Sequence, residues 1–536
     1  MKKLSYFLFV CLLVLTSCSS GNNQNTKDTL KVATEKDIST LNYQKTASTL
    51  DMEQISQFME GLLAFDEQGE VIPAGATKWD ISPDGLVYRF SLRKDAKWED
   101  GTAVTAADYL FAWQEIVAHK TSAFAYTLFP IKNAEKIYQG ALAADQLGVT
   151  ALDDYTLEII LEKPYLSFIY SLATATMFPI KQTFYESVDR EMFGTSKETI
   201  LSNGAYNISE YEAASNLFLE KSSTYWDKKN VHIPKVEVYV VKEAATRSVL
   251  FNEGNLDIMK ISTDFIEKYQ HTDYQMLTKQ TPKITYLYLS GNTLQENQNL
   301  QNKHLRQAII TAIDRNLITQ NILKDGSIPL DRLVPCKYAY VEQQDYCDLT
   351  ATNLTYTYNL EEAKSYFAQA QNELESKDIT IEIAYQELDD NAKILENIKF
   401  QLETNLSGLH VNLIAYPSSA YAATLRKNGT ASAVQTWSGS FPNPEVYLQI
   451  LEETSSFNFA KYQDDNFQNL YVEAMSTLDK KEQFLLYGAA ENQAMQAYMV
   501  APLYQNGVTY LLGKDITTLE YNMTLPNIHY KNMQFA

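Results

Sequence analysis

"MEGLLAFDEQGEVIPAGATKWDISPDGLVYRFSLRKDAKWEDGTAVTAADYLFAW" runs from Met59 to Trp113, and its reading decides the fold. Ile55, Phe58 and Met59 lead into Leu62 and Leu63 at helical spacing, which predicts a helix across the start of this stretch. Ser82 to Gly85 reads SPDG, turn chemistry, and the LVYRFSL that follows alternates apolar and polar residues as a half-buried strand does. Thr105 stands where its side-chain oxygen can take up a free N–H at the start of a helix carrying Tyr109, Phe111 and Trp113. Helix, turn, strand and helix in this order imply a small mixed α/β subdomain.

Outward from that core the same alternation continues. Upstream, TLKVATEKDISTLNYQK (Thr29 to Lys45) reads as a strand followed by a loop. Downstream the chain turns strand-rich between Leu201 and Asn230, and KVEVYVV (Lys235 to Val241) is a clear strand. ATRSVLFNEGNLDIM (Ala245 to Met259) then gives a helix, a stop at Gly254 and a short strand, a βαβ-like unit. After the strand ITYLYLSGN, the residues Leu305, Ala308, Ile309, Ala312, Ile313 and Ile318 form one apolar stripe that opens a new domain. Strand and helix alternate again through ITIEIAYQE, NAKILENIKFQLETN and VNLIAYP, with no repeat and no long flexible linker.

Composition bounds the function. The chain has 536 residues, 45% hydrophobic and 21% charged, enough for two or three cores. Its 66 acidic and 45 basic residues leave a formal net charge of −21 with no Lys/Arg block, which argues against nucleic acid as a partner. No G-x-S-x-G, H-E-x-x-H, phosphate-binding P-loop or glycine-rich dinucleotide fingerprint is present, and the six histidines are scattered. The expectation is a protein without catalysis, cofactor or metal.

At the N-terminus Lys2 and Lys3 precede the apolar run Leu4 to Leu15, too short to span a bilayer comfortably and suited to a signal-peptide core. The following LTSCSSGNNQNTKD resembles a bacterial lipobox, which implies a signal peptide over 1–17, a lipid on Cys18 and a tether over 18–28. Cys11 leaves with the signal. Cys336 and Cys347 remain as an even pair around KYAYVEQQDY, for which we expect a disulfide in an oxidising compartment, with two separate buried thiols as the alternative.

Four segments, the opening stretch, SNGAY with TYWDKKN downstream, FNEGNLDI and LRQAIITAIDRNLI, stand in the order and spacing of the oligopeptide-binding lipoproteins of ABC importers, solute-binding protein family 5. The chain resembles that family over essentially the whole mature length. The resemblance implies an α/β, two-lobed periplasmic-binding-protein-like fold of three domains that closes about a hinge. Domain I would gather 29–60, 195–292 and 505–536, domain II (61–194) would be inserted in it, and domain III would cover 293–504. It further implies a peptide ligand held between the lobes, delivery to the permease and ATPase subunits of an importer, and a monomer. Anchoring by lipid suits the outer face of the cytoplasmic membrane of a Gram-positive cell.

The same resemblance draws attention to TWSGSFPNPEVYL (Thr436 to Leu448), where a Trp among small residues is either a core anchor in a turn or a platform beside open backbone. In peptide-binding relatives this loop lines the cleft and pairs with the extended peptide, which implicates Trp437, Ser438, Gly439, Ser440 and Asn443. Relatives place an Asp three residues after the Trp for the ligand's ammonium, and some place an Arg three before it for the carboxylate. Ser440 and Val434 stand there instead. A charge-assisted hydrogen bond contributes roughly 1.5–3 kcal/mol, so the loss weakens a free-amine peptide by about tenfold to 150-fold while backbone pairing continues.

The expected ligand is therefore a hydrophobic peptide with its amine blocked or held elsewhere, as in a peptide-pheromone receptor, with Glu445 as one carboxylate that could take the amine over. Ala47, Ser48 and Thr49 fall where the other lobe meets the peptide, although Asn42 and Tyr43 replace the usual Asp-Pro before them. Phe124 falls near an aromatic cleft contact, whereas Asn203 and Tyr206 read as structural. The alternative ligand class is haem or a nickel chelate, since relatives that bind those also lack the Asp.

Overall fold

The computed structural model describes residues 27–536 apart from 47, 123, 291–297, 351–355, 418–419, 422, 426–431 and 525–526. The leader, Cys18 and Ala47 thus lie outside the described residues.

The SPDG turn feeds the strand Val87–Leu92, in which Tyr88, Phe90 and Leu92 are buried and Arg89 on the other face pairs with Glu158. This strand lies between Ala76–Ile81 and Thr156–Ile160 in a four-stranded antiparallel sheet completed by Val149–Asp153. The helix begins at Ala106 and runs to His119. At its start the Asp108 carboxylate accepts from the Thr105 N–H at 2.8 Å and from the Trp98 indole at 3.2 Å. Tyr109 and Trp113, one turn apart, are both buried with ring centroids 6.2 Å apart.

The helix expected through Leu63 stops sooner. It spans Thr49–Phe58, and Leu63–Phe65 is already a strand. The cause is Asn203, whose side-chain amide accepts from the Glu60 N–H and donates to the Glu60 carbonyl, both at 2.9 Å, holding that peptide out of the helix. Leu62 and Leu63 remain buried, so the apolar spacing reports burial correctly and secondary structure wrongly.

The larger sheet has eleven strands. Its order runs Leu409–Tyr416, Ile379–Gln386, Ser432–Ser438, Gln275–Tyr288, Val500–Leu512, Ile258–Lys260, Thr29–Thr34, Lys235–Val240, Asn216–Lys221 and Tyr206–Glu212, with Ile328–Pro329 beside Val500–Leu512. Lys235–Val240 and Ile258–Lys260 both run parallel to Thr29–Thr34 on opposite sides of it. The helix Ala244–Asn252 makes the crossover between them, and Gly254 ends it with a φ of +74° that favours glycine.

Two strands join the halves of this sheet. Residues 275–280 of one pair with 507–512 of the other, then the register shifts, and 284–288 pair with 500–505. Pro282 lies in the break and offers no N–H to a ladder. Its carbonyl accepts instead from the Gly439 N–H at 2.9 Å and the Tyr447 hydroxyl at 2.7 Å. Gly507 stands opposite, where a Cβ would lie 2.3 Å from the backbone of Gly326 and Ser327.

The apolar stripe that opens at Leu305 is divided between the helix Lys303–Ala312 and a π-helix over Leu317–Leu323. Between them Arg315 is buried and donates to the Pro502 carbonyl at 2.7 Å, and burial pushes its guanidinium down to about 10. Cys336 and Cys347 are joined in a disulfide with their Cα atoms 5.4 Å apart.

Candidate functional site

The strand Ser432–Ser438 carries the Trp437 loop. On one side it pairs with Gln275–Tyr288 from Ala433 opposite Tyr288 to Ser438 opposite Lys283. On the other side it pairs with Ile379–Gln386 only at Ser432 and Ala433. Beyond Ala433 that outer edge has no strand partner among the described residues. The Gly439 N–H points to Pro282, so by alternation the backbone groups of Gln435 and Trp437 face the neighbouring strand and those of Thr436 and Ser438 face outward. Val434 fits this phase, since its carbonyl accepts from the Tyr421 hydroxyl at 2.7 Å on the outer side.

Side chains follow the same period. The Trp437 indole N–H donates to the Val446 carbonyl, its ring centroid is 4.6 Å from that of Phe457, and the residue is half-buried. The opposite face carries Val434, Thr436 and Ser438, of which Val434 is buried, Ser438 half-buried and Thr436 exposed; Ser440, also exposed, lies beyond the strand's end. Gly439 is a packing requirement, because a Cβ there would lie 2.2 Å from the Tyr338 hydroxyl and 2.9 Å from that of Tyr447. Asn443 is buried with both ends of its amide engaged, to Gln483 at 3.1 Å and to the Glu445 N–H at 2.9 Å.

The loop before Ser48 lies between the strand Thr29–Thr34 and the helix Thr49–Phe58. Asn42 closes it as an Asx turn, its side-chain oxygen accepting from the N–H groups of Gln44 and Lys45 and its amide donating to Phe193. Tyr43 is buried with its hydroxyl on the Pro179 carbonyl at 2.7 Å. Ser48 then caps the helix Thr49–Phe58, accepting from the Asp51 N–H, and Thr49 is exposed. One turn further, burial pushes the Glu53 carboxyl up to about 7 although the Asn527 N–H and Lys260 pull it back. Lys260 and Arg247 both grip Glu35, at 2.7 and 3.3 Å. Phe124 stands apart at the head of the turn Ala125–Leu128, its ring 6.1 Å from Tyr126.

Glu445 is fully engaged. It is buried and accepts from the Tyr165 hydroxyl at 2.5 Å and the Tyr487 hydroxyl at 3.3 Å, and burial raises its carboxyl above the usual range. Around it Tyr170 stacks on Phe441 at 5.4 Å and Lys480 pairs with Glu70 at 2.8 Å. These contacts press the segment containing the four-stranded sheet against the loop that follows Trp437.

Sequence reasoning did not single out Lys283, Glu53, Glu35 or Lys260. Each is an ordinary charged residue in a strand, beside one or in a helix, and only the fold brings them near one another. A separate cavity of about 580 Å³ is lined by Asp264, Glu267, Lys324 and Lys393 among others. Its charges are already matched, Lys324 to Glu267 at 2.6 Å and Lys393 to Asp264 at 3.4 Å, which makes it a poorer ligand site than the open strand edge. Among the described residues one group of Cys and carboxylate side chains converges, Cys336, Asp345 and Cys347, and its sulfurs form the disulfide. Among those residues no helix is long and apolar enough to cross a membrane.

Known proteins share this chain's sequence and fold over most of its length. The model of the bacterial extracellular solute-binding proteins, family 5 Middle, matches residues 70–459. The periplasmic murein peptide-binding protein MppA of Escherichia coli is 28% identical over 521 residues, covering 92% of each chain. The periplasmic oligopeptide-binding protein OppA of the same organism is 27% identical, covering 83% of this chain and 81% of that protein. Among solved structures, the substrate-binding domain of an oligopeptide ABC transporter from Bacillus anthracis matches with a TM-score of 0.78 at 29% identity, over 95% of this chain and 99% of that one. The pheromone receptor PrgZ, solved with its mode of peptide binding, matches with a TM-score of 0.78 at 27% identity, over 95% and 100%. With the matched model covering well over half of its length and the two-lobed α/β fold in place, this chain belongs to the family 5 bacterial extracellular solute-binding proteins.

Proposed function

We propose that the protein is a lipid-anchored receptor that binds oligopeptides between its lobes, reading them mainly through the backbone, and delivers them to an ABC importer without catalysis of its own. The observation that carries this reading is the outer edge of Thr436 to Ser438, which has no strand partner among the described residues and whose N–H and C=O groups can pair with an extended chain at about 1 kcal/mol per bond. The relatives' peptide ligands support it.

Ser440 offers no carboxylate to a ligand's ammonium, and Glu445 is already occupied by two tyrosines, so we assign the ligand as hydrophobic with its amine blocked or held elsewhere. In this reading Cys18 carries the lipid on the outer face of a Gram-positive membrane and the receptor works as a monomer. Its domain I (29–60, 195–292, 505–536), with domain II (61–194) inserted, closes on domain III (293–504) about the strand break at Pro282 and Gly507.

The test is mass spectrometry of whatever acid denaturation releases from the soluble protein beginning after Cys18. A ladder of peptides is expected, and their termini report on Ser440. A haem, a nickel chelate or another single non-peptide species would overturn the reading.

A further inference from the structure

On the strand Gln275–Tyr288, Lys283 lies directly opposite Ser438, so its side chain shares the face of Thr436 and Ser438, two residues before Ser440. The residue is exposed, whereas Pro282 and Ile284 on either side are buried. Its backbone N–H donates to Thr281, and among the described residues its ammonium has no hydrogen-bond or ion-pair partner. The charges it feels are Lys260, Lys36 and Glu35, which belong to the other half of the sheet, across the break at Pro282. Glu35 is already gripped by Lys260 and Arg247 and is not free to neutralise it. The face therefore carries donors: the Lys283 ammonium, the hydroxyls of Thr436 and Ser438, and the outward N–H groups of those two residues, and among the described residues no carboxylate is paired with the ammonium.

Resting on the peptide reading above, we propose that Lys283 is a specificity determinant that binds a carboxylate of the peptide ligand. The polarity at this point is then the reverse of an ammonium-binding site. The carboxylate comes from an acidic side chain or from the ligand's carboxyl terminus, and the two sources share the chemistry Lys283 recognises. The surrounding protein, and then Lys260 and Lys36, push the Lys283 ammonium down to about 8. Below that value the cation is present and attracts the carboxylate; as pH rises through it the attraction is lost.

The experiment is calorimetric titration of leucine-rich pentapeptides in matched pairs, free acid against carboxamide and Glu against Gln at each position, at pH 7 and pH 9. One acid member is expected to bind about tenfold or more tightly than its neutral partner at pH 7. That preference falls at pH 9, disappears in Lys283→Gln with an unchanged unfolding temperature, and survives without the pH loss in Lys283→Arg. A terminal preference identifies the carboxyl end and an internal one an acidic side chain. If peptides bind with no acid preference, or the preference persists in Lys283→Gln, the proposal fails and peptide binding stands. If none of the peptides binds, the peptide reading falls with it.

Discussion

Glu53 shows how a residue's chemistry is set by its neighbours. In the unfolded chain its carboxyl titrates in the ordinary range, whereas in the fold burial pushes it up to about 7. The folded state therefore holds the proton more tightly. The resulting stabilisation is complete below the unfolded value near 4.5 and is lost as pH rises through about 7. Glu53→Gln removes the penalty while keeping an acceptor for the Asn527 N–H. It is expected to stabilise the protein by about 1–3 kcal/mol at pH 8 and by little at pH 4, which urea unfolding at the two pH values measures. The same contrast explains what was legible at Ser440 and Val434: the missing charges can be read directly from the chain. That Glu445 is bonded to two tyrosines could not be read, because Tyr165 and Tyr487 lie 280 and 42 residues away.

Elements were legible where a local cause acts. The alternation of LVYRFSL, the Gly254 stop and the turn chemistry of SPDG each produce the structure their residues favour. The helix expected through Leu63 fails because Asn203, 143 residues from Glu60, competes for its backbone groups. At the break between the two long strands, Gly507→Ala would drive a Cβ into the backbone of Gly326 and Ser327. We expect a loss of about 1–3 kcal/mol or more, seen as a lower urea midpoint with an unchanged slope. Replacing Cys336 and Cys347 together by Ser is expected to cost about 2–4 kcal/mol, measurable by calorimetry against the reduced wild type as a control.

For the molecule as a whole, the decisive contacts are those between the segment of the four-stranded sheet and the loop after Trp437. Tyr165 to Glu445, Tyr170 on Phe441 and Lys480 to Glu70 act together across that junction. Tyr165→Phe leaves a buried carboxylate short of a donor, a loss of about 1–3 kcal/mol that falls on the state in which the two parts touch. The expected outcome is a larger radius of gyration in solution scattering and about tenfold weaker binding of the peptides recovered from the wild type. An unchanged radius and affinity would show that this contact does not hold the two parts together.

The sequence by itself determined the α/β class, the order of the strands and helices, the turns at Ser82 to Gly85 and Gly254, and the absence of a carboxylate at Ser440. These depend on the period of apolar residues and on backbone preferences that act within a few positions. Tertiary structure alone decided which way the alternation of Ser432–Ser438 is phased, placing the Trp437 indole on Val446 and Thr436 and Ser438 on the opposite face. It also brought Lys283 to that face and enclosed Glu445 between tyrosines. A period of two says which residues share a side of a strand, but only the pairing with Gln275–Tyr288 and the break at Pro282 say which side is which.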